Sequence, residues 1–276
     1  MNNVLSVFDG ISCGQIALNR VGIKYDKYYA SEIDKYAIKV TQSHFPGTIQ
    51  LGDIRNIKVA DLPPIDLLIG GSPCQGFSFS GKGLNFDDPR SKLFFEFVRL
   101  KNELNPKYFL LENVVMKQEY QDVISENLGV KPIKINSSLK SAQNRPRLYW
   151  TNIPNIEQPE DKNITLADIL EDNVDLKYKL SEAKIKRVLE TQRGKGFFYN
   201  KTHNKCGTLI SGYHKQPTDG VYIDLGFKRR LTPTEFEKLQ TVPLNYTACL
   251  SDTQRYKTLG NGWTIDVIAH IFKNIE

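Results

Sequence analysis

Short apolar runs that each end in a turn of small or acidic residues restrict the fold of this chain more than any other feature. Val4–Phe8 runs into Asp9-Gly10-Ile11-Ser12-Cys13-Gly14, and Tyr28-Tyr29-Ala30 runs towards Glu32. Ile65–Ile69 runs into Gly70-Gly71-Ser72-Pro73-Cys74, and a run over 107–111 meets Glu112-Asn113. Helical patterns lie between them: one begins at Gln15, and others cover 34–44 and 94–103. Strand and helix in alternation predict an α/β fold, a parallel sheet covered by helices on both faces. Such sheets bind ligands outside the carboxyl ends of their strands. Ile133–Ile135 and Arg147–Thr151 are predicted as late strands, an antiparallel pair at the sheet edge.

With 276 residues the chain is long enough for one large domain and one small one. The N-terminus lacks the basic and apolar regions of a signal peptide, and no apolar run reaches spanning length. Four cysteines, Cys13, Cys74, Cys206 and Cys249, stand far apart with no histidine at ligand spacing. That argues against zinc and against a disulfide framework, and for a reducing compartment. The net charge of +6 is mild, but its distribution is uneven. Lys and Arg crowd residues 184–230, interleaved with Phe197, Phe198, Tyr199, Tyr213 and Tyr222. Phosphate-binding surfaces use such a mixture, and so does a solvated face over a few core aromatics. The texture changes near Ile156. A polar connection over 156–179, a helix over 181–193 and a loop-rich segment to about 228 follow. Thr232-Pro233-Thr234-Glu235 then starts a helix, with threonine at the N-cap, proline at N1 and glutamate at N3.

Several side chains at strand exits have chemical capacity. Cys74 follows a strand on a Pro/Gly turn, where a thiol can act as a nucleophile; a lone cysteine is more often a buried structural one. The turn at Phe8–Gly14 would let a ligand approach the backbone, although a plain tight turn fits equally. Glu32, 22 residues after Gly10, could accept from ribose hydroxyls, and Asp53 from an adenine amino group. Each acid alone is most often surface charge. Glu112 emerges at the same sheet edge as Cys74, where it can act as an acid or hydrogen-bond donor. Arg145 and Arg147 alternate on an extended segment and point the same way.

Pro73-Cys74-Gln75 resembles the catalytic signature of the DNA cytosine-C5 methyltransferases, of bacterial or phage type, and other motifs follow in that family's order. Glu112-Asn113-Val114 is similar to its third catalytic motif, and Gln143-Asn144-Arg145-Pro146-Arg147 to its Gln-x-Arg-x-Arg. Asp88-Pro89-Arg90 with Leu93, Arg230–Glu235 with Leu239-Gln240, and Gly260-Asn261-Gly262-Trp263 resemble later ones. Ser12, Gly262 and Trp263 depart from the usual residues. The likeness covers 1–155 and 229–276; segment 156–228 aligns with nothing, as suits a target-recognition region.

The resemblance implies a Rossmann-like S-adenosylmethionine-dependent catalytic domain over 1–158 plus 252–276, and a small target-recognition domain over 159–251. It implies Cys74 as the nucleophile at cytosine C6, Glu112 at N3, Arg147 at O2, and Arg145 at a phosphate or the Cys74 loop. The cofactor would meet Phe8, Gly10, Ile11, Gly14, Glu32, Ile33, Asp53, Ile54, Pro73, Leu93 and Asn261. The target base would be flipped out of the duplex, with the loop Gly76–Arg90 closing over it. DNA contacts are expected from Ser78, Ser80, Lys82, Arg193, Lys195, Lys201 and Lys205. Double-stranded DNA is the implied partner, with no metal and no membrane, for an enzyme acting as a monomer in the cytoplasm of a bacterial or phage-infected cell. Two alternatives remain. One is a tRNA cytosine-C5 methyltransferase, whose usual Cys-Phe-Thr tripeptide is missing here. The other is a catalytically silent DNA-binding regulator.

Overall fold

The computed structural model describes residues 1–72, 92–190, 198–217 and 220–276. They form two compact units: Met1–Ile135 with Pro146–Gln158 and Val267–Glu276, and Asn136–Arg145 with Pro159–Asp266.

The first unit is built on a seven-stranded sheet, in the order β3-β2-β1-β4-β5-β7-β6. The strands are β1 (Asn3–Val7), β2 (Lys27–Ser31), β3 (Ile49–Gln50), β4 (Leu67–Gly71), β5 (Tyr108–Val114), β6 (Ile133–Asn136) and β7 (Pro146–Thr151). β1 pairs in parallel with both β2 and β4, and β4 in parallel with β5. β7 runs antiparallel to β5 and lies between β5 and β6, so the two late strands are hydrogen-bonded neighbours at one edge of the sheet, where the sequence predicted a pair. The chain moves outward from β1 to β2 and β3, then returns to β4 on the other side of β1. The crevice at the carboxyl ends of β1 and β4 is therefore the switch point at which such sheets hold ligands.

The connecting helices are α1 (Cys13–Arg20), α2 (Lys35–His44), α3 (Lys92–Leu104) and α4 (Gln118–Leu128). Asp34 caps α2 by accepting from the Tyr36 N–H at 2.9 Å. In α3, Phe94, Phe97 and Val98 share one face and pack with Leu68, Leu111 and Trp150 into a core. Each such side chain contributes about 1.5–3 kcal/mol through burial.

The second unit holds α5 (Leu166–Ile169), α6 (Glu182–Leu189), α7 (Pro233–Leu239), α8 (Asp252–Asn261), and the antiparallel pair β8 (Tyr222–Asp224) and β9 (Lys228–Arg230). A last helix, α9 (Ile265–Phe272), starts there and continues into the first unit. Glu235 closes a capping box with Thr232 at the start of α7 and accepts both Arg229 Nη atoms at 2.8 Å, with both side chains almost fully buried. Tyr213, Phe236 and Tyr256 pack ring against ring beside this pair, with centroids 4.7–5.2 Å apart. Tyr213 and Tyr222 are 1% and 0% exposed. They are core residues rather than groove-inserting aromatics.

The domain boundaries differ from those drawn on the sequence. Residues 136–145 and 252–266 pack with the second unit. The physical reason lies in Gln143 and Arg145, whose side chains bind main-chain groups of Leu209, Leu239, Gly260 and Gly262.

Candidate active site

The loop after β1 carries left-handed backbone at alternate residues, with φ of 57° at Phe8, 59° at Gly10 and 60° at Ser12. Two of these are not glycine, a strained arrangement of the kind that collects at ligand loops. The Ser12 N–H closes the turn on the Asp9 carbonyl at 3.1 Å. Gly14 lets α1 approach the sheet: a Cβ there would stand 2.3 Å from Ile69 Cδ1 and 2.7 Å from the Tyr28 hydroxyl.

Glu32 follows β2 and holds this loop. Its Oε2 accepts from the Gly10 N–H at 2.8 Å, and its Oε1 from the N–H groups of Ile33 and Asp34 at 2.7 and 2.8 Å. A carboxylate has about four acceptor positions, so one stays open to a ligand hydroxyl. Beside it the Ile33 side chain is 73% exposed, an apolar surface at a sheet edge. Asp53 caps the 3-10 turn Ile54–Asn56 by accepting from the Arg55 N–H at 3.0 Å, and it also takes the Arg55 guanidinium. Those hydrogen bonds from Arg55 hold its carboxyl below the usual range.

Beneath the loop lies a polar network that sequence reading missed. Asp9 is 8% exposed and accepts from the Tyr28 hydroxyl at 2.9 Å, while its Oδ2 has no partner. Burial pushes its pKa from 3.8 up to about 6, with repulsion from Glu32 adding to the rise. Gln15 extends the network, donating to Ser12 and Thr48 and accepting from Tyr25, each at 2.8 Å. The signal available in the sequence was an acid between two turn residues, with a tyrosine in the neighbouring strand.

At the carboxyl end of β5, Glu112 pairs with Arg147. Arg147 Nε lies 2.9 Å from Glu112 Oε1, with both side chains mostly buried. The sheet register explains the meeting. Val114 stands opposite Arg147 and Glu112 opposite Tyr149, so the two charges are diagonal neighbours on one face. Asn113 points the other way and donates to Ser72 Oγ at 2.9 Å, pinning the end of the β4 exit. Glu112 itself stands beside Gly71 in the β4–β5 register. Pro73, Cys74, Ser78, Ser80 and Lys82, and the Asp88-Pro89-Arg90 motif, lie outside the described residues, as do Arg193 and Lys195.

The family model for C-5 cytosine-specific DNA methylases matches residues 2–276. The chain belongs to this family. Among its curated relatives, the type II methyltransferase M1.ScrFI of Lactococcus lactis subsp. cremoris is 34% identical, over 96% of this chain and 75% of that protein. The type II methyltransferase M.NlaX of Neisseria lactamica is 30% identical, over 100% and 96%. In fold the chain is similar to the Entamoeba histolytica methyltransferase EhMeth, with a TM-score of 0.81 at 21% identity, over 100% of this chain and 99% of that one.

Within this methylase the expected site residues divide. Phe8, Gly10, Ile11, Glu32, Ile33 and Asp53 lie on the loops at the carboxyl ends of β1, β2 and β3, Gly14 in the first turn of α1, and Leu93 in the first turn of α3. Ile54 is 3% exposed and packs in the core. Asn261 ends α8 in the second unit. Arg145 is expected at a phosphate or the Cys74 loop, neither of which is among the described residues. It is 4% exposed, and its guanidinium donates to the carbonyls of Leu209 at 2.8 Å, Gly260 at 3.3 Å and Gly262 at 3.1 Å. Lys205 likewise has its ammonium committed, to the carbonyls of Ser138, Ser141 and Ile164 at 2.6, 3.1 and 2.9 Å. Lys201 pairs with Asp172 at the surface. Cys206 is a buried thiol pushed up to about 12 by desolvation, and it is no nucleophile. Among the described residues no group of three or more metal-ligating side chains occurs, and no helix is long and apolar enough to cross a membrane.

Proposed function

We propose that this methylase transfers a methyl group from S-adenosylmethionine to C5 of a cytosine flipped out of a specific duplex DNA site, through a covalent adduct of Cys74. The observation that carries the reading is the Glu112–Arg147 pair at the strand ends, 2.9 Å apart on one face of the sheet.

Cytosine C5 is too weak a nucleophile to take a methyl group directly. Addition of the Cys74 thiolate to C6 makes C5 enamine-like and moves negative charge onto N3 and O2. A proton donated to N3 by the Glu112 carboxyl and a guanidinium at O2 answer this charge. The Glu112–Arg147 contact holds both side chains at the strand ends before the base arrives; to donate to N3 the carboxyl must first take up a proton, leaving the guanidinium to O2. After transfer, the C5 proton leaves to a base and the thiolate is expelled as the C6–S bond breaks.

The donor set at the switch point fits S-adenosylmethionine. Glu32 has an open acceptor position for a ribose hydroxyl, Ile33 offers an exposed apolar face for a base, and Asp53 an acceptor for an amino group. Phe8, Gly10, Ile11 and Gly14 shape the turn for the methionyl end, with Leu93 completing the set among the described residues of the first unit. When bound, this cofactor supplies an electrophilic methyl group.

The test is methylation of duplex DNA and of tRNA in parallel, with wild type and Cys74→Ser, followed by bisulfite sequencing. The expected result is methylcytosine at one duplex site with wild type alone, and a stable adduct on DNA carrying 5-fluorocytosine. Methylation of tRNA but not DNA would replace the substrate; full turnover by Cys74→Ser would remove the mechanism.

A further inference from the structure

In the second unit, residues 142–145 and 206–210 run side by side as a short parallel ribbon. The Asn144 N–H donates to the Cys206 carbonyl and the Cys206 N–H to the Ala142 carbonyl, both at 2.8 Å. Side chains alternate along such a segment. Gln143, Arg145 and Leu209 face inward, at 0%, 4% and 1% exposed. Gln143 Oε1 accepts from the Leu209 N–H at 2.8 Å and Arg145 donates to the Leu209 carbonyl at 2.8 Å, so the peptide groups on both sides of Leu209 are held. Gly260 closes against the same strand: a Cβ there would stand 2.4 Å from backbone atoms of Ile210 and Ser211. The ribbon is rigid because its inner face is saturated with hydrogen bonds.

Its outer row is Asn144, which is exposed, half-buried Thr208, and Ile210 at 41% exposed. These three help line a groove of about 620 Å³, with Tyr199 and His203 also in its lining. Among the described residues the groove's one lysine is Lys205, which has all three of its N–H bonds on main-chain carbonyls. The described wall thus offers no available ammonium to a phosphate and suits the neutral edge of a base pair. The Thr208 hydroxyl donates to the Asn144 carbonyl at 2.7 Å. Asn136 Nδ2 donates to Asn144 Oδ1 at 2.7 Å, which fixes the amide and commits its oxygen. Among the described residues no acceptor takes its NH₂ group.

We infer that this outer row reads base edges in the major groove, and that Asn144 is a specificity-determining donor to an acceptor there, a purine N7, guanine O6 or thymine O4. The inference rests on the reading of this chain as a site-specific DNA methylase. The experiment first defines the methylated site by bisulfite sequencing. Duplexes with each base pair of that site changed in turn are then assayed with wild type and Asn144→Ala, with thermal melting as the folding control. The expected result is that kcat/KM discrimination at one base pair falls about tenfold in Asn144→Ala while the other positions keep theirs. Equal loss on cognate and altered duplexes points to a phosphate contact and overturns the inference, as does no change on any duplex. If wild type methylates no DNA, the functional reading has failed and the inference falls with it.

Discussion

Replacing Asp9 by asparagine should stabilise this protein, and only above a defined pH. The Asp9 carboxyl is buried under the β1 loop, with one oxygen on the Tyr28 hydroxyl and the other without a partner. Desolvation raises its pKa from 3.8 to about 6; the Tyr28 hydrogen bond opposes the rise, and Glu32 reinforces it. A raised acid binds its proton more tightly in the folded state than in the unfolded chain. Stability therefore falls as pH rises from about 4 to about 6, then levels off. At 1.4 kcal/mol for each tenfold change in proton affinity, the buried charge costs about 3 kcal/mol at pH 7. Asparagine keeps the acceptor for Tyr28 and removes the charge. Urea denaturation followed by circular dichroism, at pH 4 and pH 7.5, measures the difference. The expected gain for Asp9→Asn is about 1–3 kcal/mol at pH 7.5 and close to none at pH 4. A gain independent of pH, or a less stable variant at pH 7.5, would refute the argument that an ionised Asp9 strains the loop.

Three further changes test separate parts of the molecule. Glu32→Ala should weaken S-adenosylmethionine binding by about 1.5–3 kcal/mol, since it removes a charged acceptor together with the anchor of the Gly10, Ile33 and Asp34 N–H groups; Asp53→Ala should act in the same direction, and isothermal titration reads both. Gly260→Ala should destabilise the protein by about 1–3 kcal/mol, because no side chain fits against Ile210 and Ser211; an unchanged melting temperature would show that the contact yields. Arg147→Lys should lower kcat more than it raises KM for DNA, since a lysine cannot hold Glu112 and reach the exocyclic O2 of cytosine in the same planar geometry; single-turnover kinetics separates the two.

Much of the sheet was legible because its strands announce themselves by composition. Val4–Phe8, Ile65–Ile69 and the run at 107–111 are apolar on both faces, as buried parallel strands must be, and turn residues bound them. Thr232 and Glu235 identified the start of α7 because a capping box is a local device. Glu112 and Arg147 were legible as types at strand ends, but their pairing was not, since it depends on the antiparallel register of β7 against β5. Faces were harder still. In Gln143-Asn144-Arg145 the alternation is plain, yet nothing in three polar residues says which face is inside. The structure puts the two motif residues in and Asn144 out, because three segments of the second unit present main-chain groups that need partners. The same holds for Ile54 and Lys205: sequence position indicates their neighbourhood, and packing decides their direction.

The reversed strand β7 has a consequence for engineering new targets. Because it runs against its neighbours, it enters the sheet at the edge where the parallel strands end, and Arg147 stands there as its second residue. The chain just before it is the ribbon segment of the second unit, so Asn144 and Arg147 are three residues apart on one continuous backbone. On the inference that Asn144 reads the target and Arg147 serves the chemistry, both are written partly into the same pentapeptide. A chimera that exchanges only 159–228 for the segment of another enzyme leaves that pentapeptide behind. Such a hybrid carries one letter of its parent's address into every new site, and a complete change of target requires residues 142–145 to travel with the exchanged segment.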